Sequence, residues 1–269
     1  SCGVFPVGQL SRAVGLCPPI FLSFFPTTPR ANPHDRPLAQ LGSDDPQFFR
    51  YSFRVPDSRE SNFFDQTLAD AAAALAAFRA DAVSIRAVEE AAGLLAQRFA
   101  AGNKVMICGN GGSSCDANHF AEEFTGRFRA DRPPLPAIAC TDVGHITCTA
   151  NDYGYDHVFE RWVRALGKPG DVLILLSTSG NSSNIVLAAS AGTELGMHTI
   201  ALLGKDGGRL RAKMPRAEHT QTSDVRIVVP GMTSDRVQEL HMIILHALVE
   251  GVERLMFPCN YAAKPDVNR

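Results

Sequence analysis

The chain has 269 residues, 45% of them hydrophobic, enough to bury an ordinary core in one or two domains. Its formal net charge of -2, from 26 basic against 28 acidic residues, supplies no basic field for a polyanion and argues against a nucleic-acid binder. No stretch offers about 18 uninterrupted apolar residues, so no membrane span is expected, and seven cysteines without a CxxC pair point to a reducing cytoplasm rather than a disulfide framework or zinc finger.

Residues 1–58 are rich in Pro, Phe and Arg and follow neither a helical nor a strand period. They are expected to be a disordered extension, or to stem from a mis-assigned start codon. The apolar run 13–25 is broken by Pro18 and Pro19 and has only a thin positive n-region, unlike a secretory signal. An ordered domain is expected over 59–269. There Phe63, Leu68, Ala71, Leu75 and Phe78 recur at helical spacing, and Ile85, Val88, Ala92, Leu95 and Phe99 mark a second helix.

A short apolar strand is expected at 104–108, as befits a strand buried on both faces. After it the spacing predicts a helix over 114–128, a strand over 135–140, and helices near 144–149 and 158–166. A strand over 172–176, a helix over 182–195, strands over 198–203 and 225–229, and a long helix over 234–256 follow. Strands alternating with helices mean βαβ units, a parallel sheet and right-handed crossovers. Ligands in such sheets bind at the carboxyl ends of strands, so the loops after Cys108, Leu176 and Leu203 are the informative ones.

The first of these loops reads GNGGS. It lacks the GxGxxG spacing of a dinucleotide fingerprint, but Gly109, Gly111 and Gly112 permit a sharp turn close to a ligand, with Asn110 and Ser113 as polar contacts. The second reads STSGNSSN. Ser177, Thr178, Ser179 and Ser182 place four hydroxyls around Gly180, just ahead of a helix whose free N–H groups attract an anion. An ordinary Ser-rich turn with Ser182 as N-cap explains one of these serines, and a phosphomonoester site explains all four hydroxyls. No Walker A pattern is present, so no nucleotide cofactor is expected. His119 and Glu123 stand four apart on one helical face, either as a surface pair or as a metal or acid/base unit. The last helix carries Gln238, His241 and His246 in an otherwise apolar stretch, where each polar group needs a partner.

Taken in order, CGNGGSSCDANHFAEEFTGRF, ANDYGY, GDVLILLSTSGNSSN, GKDGG and DRVQELHMIILH resemble the phosphoheptose isomerases of the sugar-isomerase (SIS) superfamily, over about residues 59–257. The resemblance implies an α/β fold, a SIS-type three-layer sandwich with a central parallel sheet flanked by helices. It implies a cytoplasmic homotetramer with active sites at subunit interfaces and a sugar phosphate as substrate. The family reaction is the conversion of D-sedoheptulose 7-phosphate to D-glycero-D-manno-heptose 7-phosphate through an enediol, a first step towards heptose for surface polysaccharide such as lipopolysaccharide.

Carried over position by position, the resemblance makes Glu123 the base and His246 its proton-transfer partner. Ser177, Thr178, Ser179 and Ser182 become the phosphate cradle, with Asn110, Gly111, Gly112 and Ser113 in the glycine turn. Arg127, Asn151, Asp152, Asp235 and Gln238 fall among the substrate-orienting groups. Some members hold one zinc ion per subunit through residues matching His119, Glu123, Gln238 and His246, although eight residues put Gln238 and His246 about 12 Å apart along a helix. The loop over 207–224 is longer than the resemblance leads one to expect, either as a surface insertion or as a change at a site edge or an interface. A second reading comes from the same superfamily, which includes a non-catalytic adaptor that binds the bacterial replication initiator. Ser179 and His246 separate the two, because the adaptor branch has arginine and asparagine there.

Overall fold

The computed structural model describes residues 62–213 and 222–261, which belong to one compact unit. The expectations for 1–58, and the part of the long loop at 214–221, lie outside the described residues. Two helices come first, α1 (Asn62–Ala80) and α2 (Ala82–Ala100), with Asp81 alone between them. The Asp81 carboxylate caps α2 by accepting from the Val83 and Ser84 N–H groups, and the Ser84 hydroxyl, 2.6 Å away, holds its pKa below the usual carboxylate value. Then follow β1 (Val105–Gly109), α3 (Gly112–Thr125), β2 (Ala137–Ala139), α4 (Val143–Tyr153), α5 (Val158–Leu166), β3 (Val172–Ser177), α6 (Ser183–Glu194), β4 (His198–Gly204), α7 (Gly208–Lys213), β5 (Asp224–Val229) and α8 (Ser234–Met256).

These strands form one parallel sheet in the order β2-β1-β3-β4-β5. Side chains alternate between its faces. Val105 and Ile107, Val172, Ile174 and Leu176, and Ile200 and Leu202 point into one core with Phe99, Phe120, Phe124 and the apolar stripe of α8. Met106 and Cys108, Leu173 and Leu175, and Ala201 and Leu203 point into a second core with Phe159, Trp162 and Ile185 from α5 and α6. Two cores on two faces make the three-layer sandwich. β1, β3 and β4 are buried on both faces, so they read as unbroken apolar runs, and each large side chain so buried contributes roughly 1.5–3 kcal/mol.

Several boundaries differ from the sequence expectation for local reasons. α3 begins at Gly112 and stops at Thr125, where the Gly126 N–H closes on the Glu122 carbonyl at 2.7 Å, so Arg127 and Phe128 lie beyond it. α4 runs on to Tyr153 and carries Asn151 and Asp152 in its last turn rather than in a loop. Within the long loop, residues 208–213 are the short helix α7. The winding also changes sides: α3 follows β1 on one face and α6 follows β3 on the other, with β1 and β3 neighbours. Their two turns therefore part company above a single crevice, the place where doubly wound sheets bind ligands.

Candidate active site

Gly109 pairs with Leu176, so the turns after β1 and β3 begin side by side. An amide pair ties them together. The Asn110 side chain donates to Asn184 Oδ1 at 2.9 Å and accepts from Asn184 Nδ2 at 2.8 Å, while the Tyr155 hydroxyl donates to Asn110 Oδ1 at 3.0 Å. Asn184 is 2% exposed and its oxygen also accepts from the Ile185 N–H, so the pair is a fixed buried joint. Neither Asn184 nor Tyr155 was singled out from sequence, although both sit inside quoted motifs. A side-chain amide in the first turn after a Ser-rich loop was the available signal.

The β3–α6 turn is held by its own hydroxyls and by the loop after β4. Ser177 Oγ accepts from the Gly180 N–H at 3.0 Å, and Ser179 Oγ accepts from the Asn181 N–H at 3.2 Å. Thr178 Oγ1 lies 3.2 Å from Ser234 Oγ at the start of α8. Ser182 is the N-cap of α6, yet its hydroxyl makes no capping bond to the helix. Gly180 has φ +64°, and a Cβ there would stand 2.0 Å from the Gly207 carbonyl oxygen. Only glycine permits that crossing of backbones. The Leu210 N–H donates to the Gly180 carbonyl at 2.9 Å and the Arg209 N–H to Asn181 Oδ1 at 3.0 Å, so α7 braces the turn from outside.

From the glycine turn, α3 runs on packed against α8. Ala117, Phe120, Ala121 and Phe124 turn to the core, which leaves His119 and Glu123 on the face towards α8. His119 Nε2 is 3.0 Å from His246 Nε2 and 3.4 Å from Glu123 Oε1, and His119 Nδ1 is 3.1 Å from Glu122 Oε1. The two imidazoles meet edge to face with centroids 5.2 Å apart, and Phe128 backs His246 at 5.9 Å. One donor atom from each of His119, Glu123 and His246 lies within 4.8 Å of the others. Two nitrogens and one carboxylate oxygen suit a divalent ion with an open coordination position, and a 3.0 Å nitrogen pair equally suits one shared proton. The Glu123 side chain is 14% exposed, which removes most of its water.

Gln238 is placed at the head of this groove. Its amide lies over Gly112, where a Cβ would come within 2.7 Å of Nε2, and Nε2 reaches Ser113 Oγ at 3.5 Å. Gln238 thus meets the glycine turn, while His246 meets His119 two turns further along α8. Gly111, at φ +55°, is the N-cap of α3. Arg127, Asn151 and Asp152 are exposed in the single chain, Asp152 accepting from Asn151 Nδ2 at 2.8 Å. Asp235 is exposed in the first turn of α8, where the Thr233 hydroxyl lowers its pKa.

The comparisons with known proteins fit this geometry. The SIS domain family model matches residues 68–204. Phosphoheptose isomerase of Salmonella paratyphi B is 50% identical over 190 residues, covering 70% of this chain and 94% of that one. The chain belongs to the phosphoheptose isomerases of the SIS superfamily. The Fusobacterium nucleatum phosphoheptose isomerase is 54% identical over 173 residues, 64% of this chain and 84% of the relative. Among solved structures, phosphoheptose isomerase GmhA from Neisseria gonorrhoeae has TM-score 0.65 at 39% identity, covering 72% of this chain and 98% of that one. The Francisella tularensis phosphoheptose isomerase has TM-score 0.66 at 34% identity, covering 72% and 97%. Like these phosphoheptose isomerases, the chain is an isomerase with the SIS fold, and among the described residues no helix is long and apolar enough to cross a membrane.

Proposed function

We propose that the enzyme converts D-sedoheptulose 7-phosphate to D-glycero-D-manno-heptose 7-phosphate, with Glu123 as base and His246 as its proton-transfer partner. The observation that carries this reading is the meeting of Glu123, His119 and His246 between α3 and α8, with α3 opening at the glycine turn that the Asn110–Asn184 pair ties to a turn of four hydroxyls. The Ser177–Thr178–Ser179 turn and the N-terminus of α6 hold the phosphate, which fixes the sugar's far end. Glu123 removes a proton from C1 of the ketose while the C2 carbonyl oxygen gains one from the imidazole side, giving the enediol. The C1 hydroxyl then loses its proton and C2 receives one, so the aldose forms with no net gain or loss of protons. His119 Nε2, at 3.0 Å from His246 Nε2, shares a hydrogen bond with that ring and orients it.

His119, Glu123 and His246 would hold zinc, with Gln238 at the head of the same groove. A zinc ion bound there would supply Lewis-acid polarisation of the sugar oxygens. The exposed positions of Arg127, Asn151 and Asp152, and the exposed Phe63, Phe64 and Leu68 along α1, support a homotetramer whose subunits complete each other's sites. The reading places the enzyme in the cytoplasm, at the start of heptose supply for surface polysaccharide. Ser179 and His246 stand where the initiator-binding branch has arginine and asparagine, which favours catalysis over the adaptor role. The test is turnover of sedoheptulose 7-phosphate by the purified full chain, with added zinc and with chelator. Aldose product supports the proposal, and a folded chain that forms none under either condition overturns it.

A further inference from the structure

At the end of α3 a group of buried polar side chains plays no part in the chemistry above. The last carbonyls of a helix have no partner within it and must find donors elsewhere. Here one guanidinium supplies them. Arg132 Nη2 donates to the Glu123 carbonyl at 2.6 Å, and Nη1 donates to the Phe124 carbonyl at 2.8 Å and the Pro133 carbonyl at 3.3 Å. Arg132 Nε donates to Glu253 Oε1 at 2.6 Å, and both side chains are 0% exposed. The second Glu253 oxygen accepts from the Tyr261 hydroxyl at 2.8 Å. Tyr261 ends a single 3₁₀ turn, Pro258–Tyr261, which Asn260 fastens by donating to the Asp131 carbonyl at 3.1 Å.

The placement of this chain matters more than its strength. Glu253 lies seven residues after His246 on α8, two turns along the same side of the helix. Arg132 holds the backbone of Glu123 itself. A buried ion pair is weak evidence for stability, because apolar residues of similar volume often serve as well, but its hydrogen bonds are directional and specify one arrangement. Burial, with the Glu253 carboxylate adding to it, pushes the Tyr261 phenol up to about 12, so it remains a donor throughout the working pH range.

We infer that Arg132, Glu253 and Tyr261 are positioning residues for the isomerisation: they fix the Glu123 turn of α3 against the His246 face of α8. The inference rests on the assignment of Glu123 and His246 proposed above. Arg132→Lys keeps a charge opposite Glu253 but loses the fork that reaches two helix carbonyls. Tyr261→Phe keeps the ring and removes one hydroxyl. Both are made in the full chain and assayed with sedoheptulose 7-phosphate well below each variant's thermal midpoint, beside Glu123→Gln.

Since small misplacements of a base are costly, kcat is expected to fall about tenfold or more in Arg132→Lys and roughly threefold in Tyr261→Phe. KM and the inhibition constant for inorganic phosphate should stay within about twofold, because the phosphate turn is untouched. A lower thermal midpoint with wild-type kcat in the folded enzyme overturns the inference, leaving the group a plain helix cap. Should Arg132→Lys fail to fold, Tyr261→Phe decides alone by the same criterion. Full turnover in Glu123→Gln sinks the parent assignment, whereas an inactive Glu123→Gln beside two fully active brace variants sinks only the brace.

Discussion

The β3–α6 turn and the α3–α8 groove are linked through the Asn110–Asn184 amide pair, yet they are made differently. The turn offers hydroxyls and backbone N–H groups locked by Gly180, by Ser177 Oγ and by the loop after β4. The groove offers titratable side chains from two helices, with His119, Glu123 and His246 meeting at their tips. A grip spread over several neutral donors loses little when one is removed, whereas proton transfer through single groups loses nearly everything. The contrast suits a sugar phosphate, whose charged end needs only holding while its other end must react.

The sharpest way to break this contrast is in the groove. Glu123→Gln is expected to lower kcat about a thousandfold, and His246→Ala by a similar factor, with KM changed by no more than a few-fold. Steady-state kinetics on folded variants decides, and activity within tenfold of wild type in either would erase the distinction. On the turn, backbone rather than side chain should matter most. Gly180→Ala meets both φ +64° and the Gly207 carbonyl oxygen at 2.0 Å, so a loss of stability on the order of 2–4 kcal/mol is expected in urea unfolding. An unchanged midpoint would mean that the two loops are not locked together.

A third test concerns α8 where it backs the groove. Burial holds the His241 imidazole down to about 4 against a weaker opposing pull from the Leu203 carbonyl, and neither ring nitrogen has a partner at hydrogen-bond geometry. A histidine depressed in the fold contributes fully above its unfolded pKa of about 6.5 and loses that contribution as pH falls towards 4. This corresponds to roughly 3 kcal/mol lost between those limits. Replacing His241 with Leu should flatten that part of the stability profile, read from urea midpoints at pH 7.5 and 4.5, and an identical pH dependence in the variant would rule the histidine out. The smallest effect belongs to single hydroxyls: Ser177→Ala or Ser182→Ala should each raise KM about tenfold or less while kcat falls by a smaller factor. An unchanged KM in both removes these serines from the phosphate grip.

Much of this is legible in the sequence. Strands buried on both faces, such as β1 and β3, announce themselves as apolar runs, and the glycine and serine clusters after them mark the crevice because sheet topology leaves loops there. Helical spacing alone put His119 and Glu123 on one face. What the spacing could not show was depth and direction. Nothing local distinguishes Arg132 from the exposed Arg129, since the partner that buries it, Glu253, is 121 residues away. Nothing local marks Asn184 in the first turn of α6, because its partner, Asn110, is 74 residues away. Gln238 and His246 share a helix, yet the turns between them send one to the glycine loop and the other to His119.

The most direct test of the account is the fate of hydrogen during turnover in D2O. With sedoheptulose 7-phosphate and the wild-type chain, proton NMR of the aldose should show deuterium at C2, and Glu123→Gln should form neither labelled nor unlabelled product at a comparable rate. Undiminished formation of the labelled aldose by Glu123→Gln would contradict proton transfer through this carboxylate.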